Sequence, residues 1–175
     1  MAPIKYLLAG GINSGKTTTL KILGNKGYNI IPEAAELLIK ENIEKNGKHP
    51  DIENKYEFVE KVLEKRIELE SQIKGDQIYF IDRGIPDGLA YYKLYKIPIT
   101  KTYLAAIEKY RYDKVFFFDL LDNYKPDESI RIQNIKERKI IHGLLEETYT
   151  ELGYELIHVP LMPIEERVNL IIKNI

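Results

Sequence analysis

Gly10-Gly11-Ile12-Asn13-Ser14-Gly15-Lys16-Thr17 fits the pattern G-x-x-x-x-G-K-[ST], a loop built to hold phosphate. The residues on either side agree with that reading. Ile4-Lys5-Tyr6-Leu7-Leu8-Ala9 reads as a buried strand, and Thr17 to Leu23 reads as the first turns of a helix. A strand, a glycine-rich turn and a helix N-terminus make an anion site, because backbone N–H groups converge and the helix dipole favours negative charge. The expected nucleotide-binding set is therefore Gly10, Gly11, Asn13, Ser14, Gly15, Lys16, Thr17 and Thr18. Lys16 is expected to reach the β- and γ-phosphates and the Thr17 hydroxyl to hold Mg²⁺. The competing reading is an accidental glycine-rich turn, and the flanking strand and helix argue against it.

Outward from this stretch, apolar runs alternate with helical patterns, which predicts βαβ units and a parallel sheet. Further strands are expected at Tyr28–Ile31, Ile78–Ile81, Lys114–Phe118 and Glu155–Val159. Helices are expected over about Ala34–Lys45, Glu53–Lys74, Pro86–Leu94, Lys101–Tyr110, Ile132–Leu152 and Ile164–Lys173. Asn46 to Asp51 is a turn-rich break. The polar stretch Asp122–Arg131, continuing to about residue 140, is expected to form a lid.

The bulk properties narrow the class. A chain of 175 residues suits one domain with one substantial core. The net charge of −1 gives no basic face for nucleic acid. No apolar run is long enough to span a bilayer. The chain has no cysteine, which excludes disulfides and thiolate metal sites. With no secretory signal pattern at the N-terminus, a cytoplasmic location is expected.

Three further constellations carry chemistry. Ile78-Tyr79-Phe80-Ile81-Asp82 is an apolar strand ending in a carboxylate, where an acid beside a P-loop hydroxyl coordinates Mg²⁺. Arg83 follows it, placing a fixed cation at the sheet edge where ligands bind in open α/β folds. A strand-end salt bridge or an N-cap is the bland alternative for this pair. Glu33, after Pro32, faces the γ-phosphate region and suits a base or a ligand for an acceptor hydroxyl, or else simply favours the first turn of a helix. Asp87 either contacts substrate or caps the helix that starts there. Arg131 and Arg138 lie about two helical turns apart, so both can share one face and close on transferring phosphate. His49, His142 and His158 lack metal-ligand spacing and read as surface or packing residues. No Asn-Lys-x-Asp motif reads a guanine base, so ATP is expected before GTP.

In order, Gly10–Thr17, Pro32-Glu33-Ala34-Ala35, Asp82-Arg83-Gly84-Ile85-Pro86-Asp87, Tyr112–Phe116, Asp127–Arg131 and Tyr149–Pro160 resemble the AAA-type ATPase and kinase family. That family includes the ribosylnicotinamide kinase domain of the bacterial NAD regulator and the translocation-defect GTP-binding proteins. More distantly, the Glu after the second strand and the Asp-Arg after the third look like deoxynucleoside and thymidylate kinases. The resemblance implies a three-layer α/β/α sandwich with a five-stranded parallel sheet of order 2-3-1-4-5. It gives Glu33 the role of base or hydroxyl ligand and Arg83 that of holding the transferring phosphate. The function expected is transfer of a phosphoryl group from ATP·Mg²⁺ to a nucleoside, nucleotide or nicotinamide-riboside-like acceptor. The alternative is a nucleotide-binding switch that hydrolyses slowly. A homodimer through the long helix from Glu53 is left open.

Overall fold

The computed structural model describes residues 2–48, 54–120 and 135–175. Strand β1 (Ile4–Ala9) lies at the centre of a five-stranded sheet with β2 (Asn29–Ile31), β3 (Ile78–Asp82), β4 (Lys114–Phe118) and β5 (Leu156–Val159) in the order β2-β3-β1-β4-β5. All pairings are parallel, with Leu8 opposite Asp82 and Ala9 opposite Phe117. Parallel strands covered on both faces read as nearly continuous apolar runs, which is what β1 and β4 show. Successive side chains point to opposite faces. Leu7, Ala9, Ile81 and Phe117 enter one core cluster, while Tyr6, Leu8, Phe80, Phe116 and Phe118 enter another.

The helices are α1 (Lys16–Asn25), α2 (Ala34–Asn46), α3 (Lys55–Ser71), α4 (Asp87–Tyr95), α5 (Lys101–Lys109), α6 (Ile135–Glu151) and α7 (Ile164–Lys173). Leu20 and Leu23 of α1 and Val168 and Ile171 of α7 close one face of the sheet. Ala90 of α4 and Ile141, Leu145 and Tyr149 of α6 close the other. The sheet order, the parallel topology and the helix sequence are those expected. A third cluster, with Val59 and Leu63 of α3, Tyr92 of α4 and Tyr103 and Ile107 of α5, lies apart from the sheet clusters. It packs α3 against α4 and α5, and Arg66 of α3 reaches the ends of β2 and β3.

Two boundaries bear on the site. β3 runs on through Asp82 instead of ending at Ile81, so the carboxylate is held in the ladder opposite Leu8. The long helix begins at Lys55, capped by Asn54, whose side-chain oxygen accepts from the Glu57 N–H. The expected start of that helix at Glu53, His49, and residues 122–134 of the expected lid lie outside the described residues. Among the described residues, no helix is long and apolar enough to cross a membrane.

Candidate active site

The glycine-rich turn is shaped by what crowds it. Gly10 has φ +125°, and a Cβ there would lie 2.6 Å from the Phe118 carbonyl oxygen of β4. Gly15 has φ +93°, and a Cβ there would lie 2.7 Å from Nη1 of Arg167. Both positions disfavour a side chain on conformation, and at Gly10 the fixed backbone of β4 excludes one on space as well. Asn13 takes a left-handed φ of +58°, which asparagine adopts more readily than most residues. Gly15 is the N-cap of α1 and supplies no side-chain cap, so the first N–H groups of the helix are left for an anion.

Lys16 folds back over this loop. Its Nζ donates to the Gly11 carbonyl at 2.7 Å and to Ser14 Oγ at 3.0 Å. Burial, seconded by the charge of Arg83, lowers its pKa to about 7, against the opposing pull of Asp82, Glu33 and Asp87. A bound polyphosphate would restore its charge, because anionic oxygens favour the protonated amine.

Thr17 and Asp82 meet as expected. The Thr17 hydroxyl donates to Asp82 Oδ2 at 2.7 Å, and Asp82 is fully buried at 0 % exposure. Its other oxygen, Oδ1, has no hydrogen-bond partner among the described residues. Burial raises the Asp82 pKa, and Lys16 opposes that rise. An orphaned buried carboxylate oxygen beside a hydroxyl fits a hard divalent cation, which takes oxygen ligands and completes its shell with water and phosphate. Among the described residues there is no group of three or more His, Cys, Asp or Glu to hold a metal by protein ligands alone.

Arg83 organises the opposite side. It has a left-handed φ of +63°, and its N–H donates to the Leu8 carbonyl at 3.0 Å. Its Nε lies 3.2 Å from Glu33 Oε1, and its Nη1 donates to Asp87 Oδ1 at 3.2 Å. Burial pulls the guanidinium pKa down, but Glu33 first, then Tyr91 and Asp87, hold it well above the usual arginine value. Glu33 sits at the N-cap of α2 yet makes no cap bond with its side chain. Its side chain pairs with Arg83 instead. Asp87 accepts from Arg83 on one oxygen and, on the other, from the Gly84 N–H at 2.9 Å and from the Tyr149 hydroxyl. It sits in the first turn of α4, so the geometry supports an acid that holds Arg83 and the 83–87 turn.

Glu33, Arg83 and Asp87 also line a cleft of about 140 Å³ whose walls include Ile39, Phe58, Val59, Val62, Tyr91 and Tyr95. Lys55 lies at this cleft with its Nζ 5.3 Å from the centre of the Tyr95 ring, and Glu137 reaches it from α6. Tyr92, the neighbour of Tyr91, is instead a core residue at 1 % exposure. Arg138 is buried on α6 beside Glu137, and Arg131 lies outside the described residues.

Three residues here have no signal in the linear pattern. Arg66 of α3 donates to the carbonyls of Asp82 at 2.8 Å and Pro32 at 3.3 Å. Arg167 of α7 donates to the carbonyls of Ser14 at 2.8 Å and Met162 at 3.1 Å. His142 of α6, expected at the surface or in packing, is half-buried, and its Nδ1 accepts the Gly11 N–H at 3.1 Å. Only burial of a long cation at a core-facing helix position could have flagged the two arginines.

Residues 5–167 match the family described as an AAA domain. The chain belongs to that family. No curated protein matches it. Among solved structures, thymidylate kinase from Ehrlichia chaffeensis superimposes with a TM-score of 0.72 at 13 % identity, covering 99 % of each chain. A deoxyadenosine kinase from M. mycoides gives a TM-score of 0.68 at 16 % identity, over 98 % of this chain and 97 % of that one. NadR protein in complex with NR gives 0.78 at 17 % identity, over 98 % of this chain and 51 % of that one. The AAA-domain chain therefore spans about half the length of NadR. At these identities the likeness establishes a P-loop kinase fold.

Proposed function

We propose that this AAA-domain chain acts as a kinase that moves the γ-phosphoryl group of ATP·Mg²⁺ to a hydroxyl of a small, ring-bearing acceptor such as a riboside. The observation that carries the reading is the cleft itself. It joins an acid–arginine cluster, beside the phosphate loop, to aromatic and aliphatic walls. A few convergent polar groups in an otherwise apolar pocket are the usual form of a small-molecule site.

In this reading the loop N–H groups from Asn13 to Thr18 and the Lys16 amine hold the triphosphate. Thr17 and Asp82 would hold Mg²⁺, which would supply positive charge against the phosphates. Glu33 orients the acceptor hydroxyl and takes its proton as the new P–O bond forms and the bond to ADP breaks. Arg83, fixed by Asp87, faces the transferring group. Arg138 supplies further positive charge from α6. Little covalent chemistry falls to the protein in such transfers, so positioning and charge stabilisation supply most of the acceleration. The fold shared with nucleoside and nucleotide kinases supports this assignment.

The test is ADP formation from ATP and Mg²⁺ with a panel of nucleosides, nucleoside monophosphates and other ribosides. Acceptor-dependent ADP with a phosphorylated product is expected. Tight nucleotide binding with no acceptor effect would replace the kinase by a slow nucleotide switch.

A further inference from the structure

The ladder between β2 and β3 ends at the pair Ile31 and Ile81. The next residues in register are Pro32 and Asp82, and the next after those are Glu33 and Arg83, which form the ion pair. The β3 end is still held by β1, through Asp82 opposite Leu8 and the Arg83 N–H on the Leu8 carbonyl, whereas the β2 end beyond Ile31 has left the ladder and is free to splay from it. Here one guanidinium spans them. Arg66 Nη1 donates to the Pro32 carbonyl and Nη2 to the Asp82 carbonyl. Arg66 is 3 % exposed, and its guanidinium is held there by these two carbonyls. A buried cation held by carbonyls costs desolvation that an apolar side chain would not incur. Its planar fork is suited to gripping two oxygens at a fixed separation.

We infer that Arg66 is a positioning residue, which sets the spacing of the strand ends that carry Glu33 and Asp82 and so aims the metal-binding carboxylate at the phosphate loop. The metal assignment rests on the kinase reading above. Arg66 bonds the backbone carbonyl of Asp82 and so orients that residue without touching its carboxylate. Phe58, Val59 and Val62, which line the cleft, are on the same helix, so Arg66 also ties the cleft wall to the strand ends.

The test measures nucleotide affinity by calorimetry, with ADP as the probe, in Mg²⁺ and in EDTA. Wild type, Arg66→Lys and Arg66→Met are compared, with melting curves alongside. In wild type, Mg²⁺ is expected to tighten binding. Arg66→Met should lose about tenfold or more of that Mg²⁺-dependent gain, the scale seen when outer-shell partners of metal ligands are removed. Its affinity in EDTA should stay within about twofold of wild type, since the loop N–H groups and Lys16 are untouched. Arg66→Lys, with one rotatable donor group in place of the fork, should fall between the two. Should Arg66→Met fail to fold, Arg66→Lys alone decides by the same two affinities. Equal Mg²⁺ gains in wild type and variants, or a loss of equal size in Mg²⁺ and EDTA, overturns the inference. A wild type that shows the Mg²⁺ gain but phosphorylates no acceptor defeats the kinase reading and leaves the Arg66 result standing.

Discussion

At the phosphate loop the working groups come from one strand, one turn and one helix, whereas around Arg83 they come from β3, α4, α6 and the start of α2. The first set is local in sequence. Gly10, Gly15 and Lys16 act through backbone shape and short-range bonds, while Arg167, His142 and Asp82 reach in from afar. The second set is a meeting of distant side chains. Tyr149 bonds Asp87 from 62 positions away, and Glu33 pairs with Arg83 across two strand ends. A site built from local geometry tolerates change in the rest of the molecule, while one built from distant groups depends on how helices dock. The first suits a ligand common to many proteins, and the second can be retuned to different acceptors.

Lys16→Ala should break the local half most severely. Turnover should fall by about a hundredfold to a thousandfold, as when one preorganised donor to a developing charge is removed. The melting temperature should hold or rise, because burial lowers the Lys16 pKa to about 7, and an amine that protonates less readily in the folded chain than in the unfolded one opposes folding at neutral pH. Steady-state kinetics with a circular dichroism melt checks both, and normal turnover would remove Lys16 from the chemistry. Glu33→Gln tests the assembled half. It should slow transfer by about a hundredfold, the low end for a general base, while ATP binding changes little. An unchanged kcat would leave Glu33 as a partner of Arg83 and nothing more.

Phe58→Ala addresses the cleft wall. Losing part of an aromatic contact worth about 1.5–3 kcal/mol should raise the acceptor KM by about tenfold or more. Neither kcat nor the KM for ATP should move, since Phe58 lines the cleft and takes no part in the phosphate loop. A matching rise in the KM for ATP would mean that the two halves are not separable in the way their construction suggests.

The same contrast explains how much could be read from the linear sequence. The phosphate loop was legible because its geometry demands particular residues at fixed spacing. The strand order followed from resemblance, and the parallel sheet from apolar runs alternating with helices. Asp82 and Arg83 were legible as a strand end. The roles of Glu33 and Asp87 were left open, because an acid near a helix start is read equally well as a cap, and only folded geometry shows that Glu33 makes none. Arg66, Arg167 and His142 were not legible. Each acts on a backbone group of a distant element, and nothing in a side chain's own neighbourhood in sequence announces which carbonyl or N–H it will meet.

His142 gives the smallest and most specific test of how the local half depends on a distant helix. Burial holds its pKa below the usual histidine value, seconded by Lys16 and His158 and opposed by Glu146 and Asp119. The neutral ring accepts the Gly11 N–H, and a protonated ring cannot. Since the unfolded chain binds this proton more readily than the folded one, stability contributed here rises with pH. It is lost as pH falls below about 6.5 toward the folded value. His142→Gln replaces the ring with a side chain that does not titrate but can still accept. At neutral pH the change in nucleotide affinity should be no more than about fivefold, the scale of one neutral hydrogen bond. Between about pH 7 and pH 5 the wild-type affinity should decline more steeply than that of the variant, because only the wild type has the imidazole to charge. Parallel pH profiles for the two proteins would show that the loop keeps its shape without the acceptor on α6, and that Gly10 and Gly15 suffice to hold it.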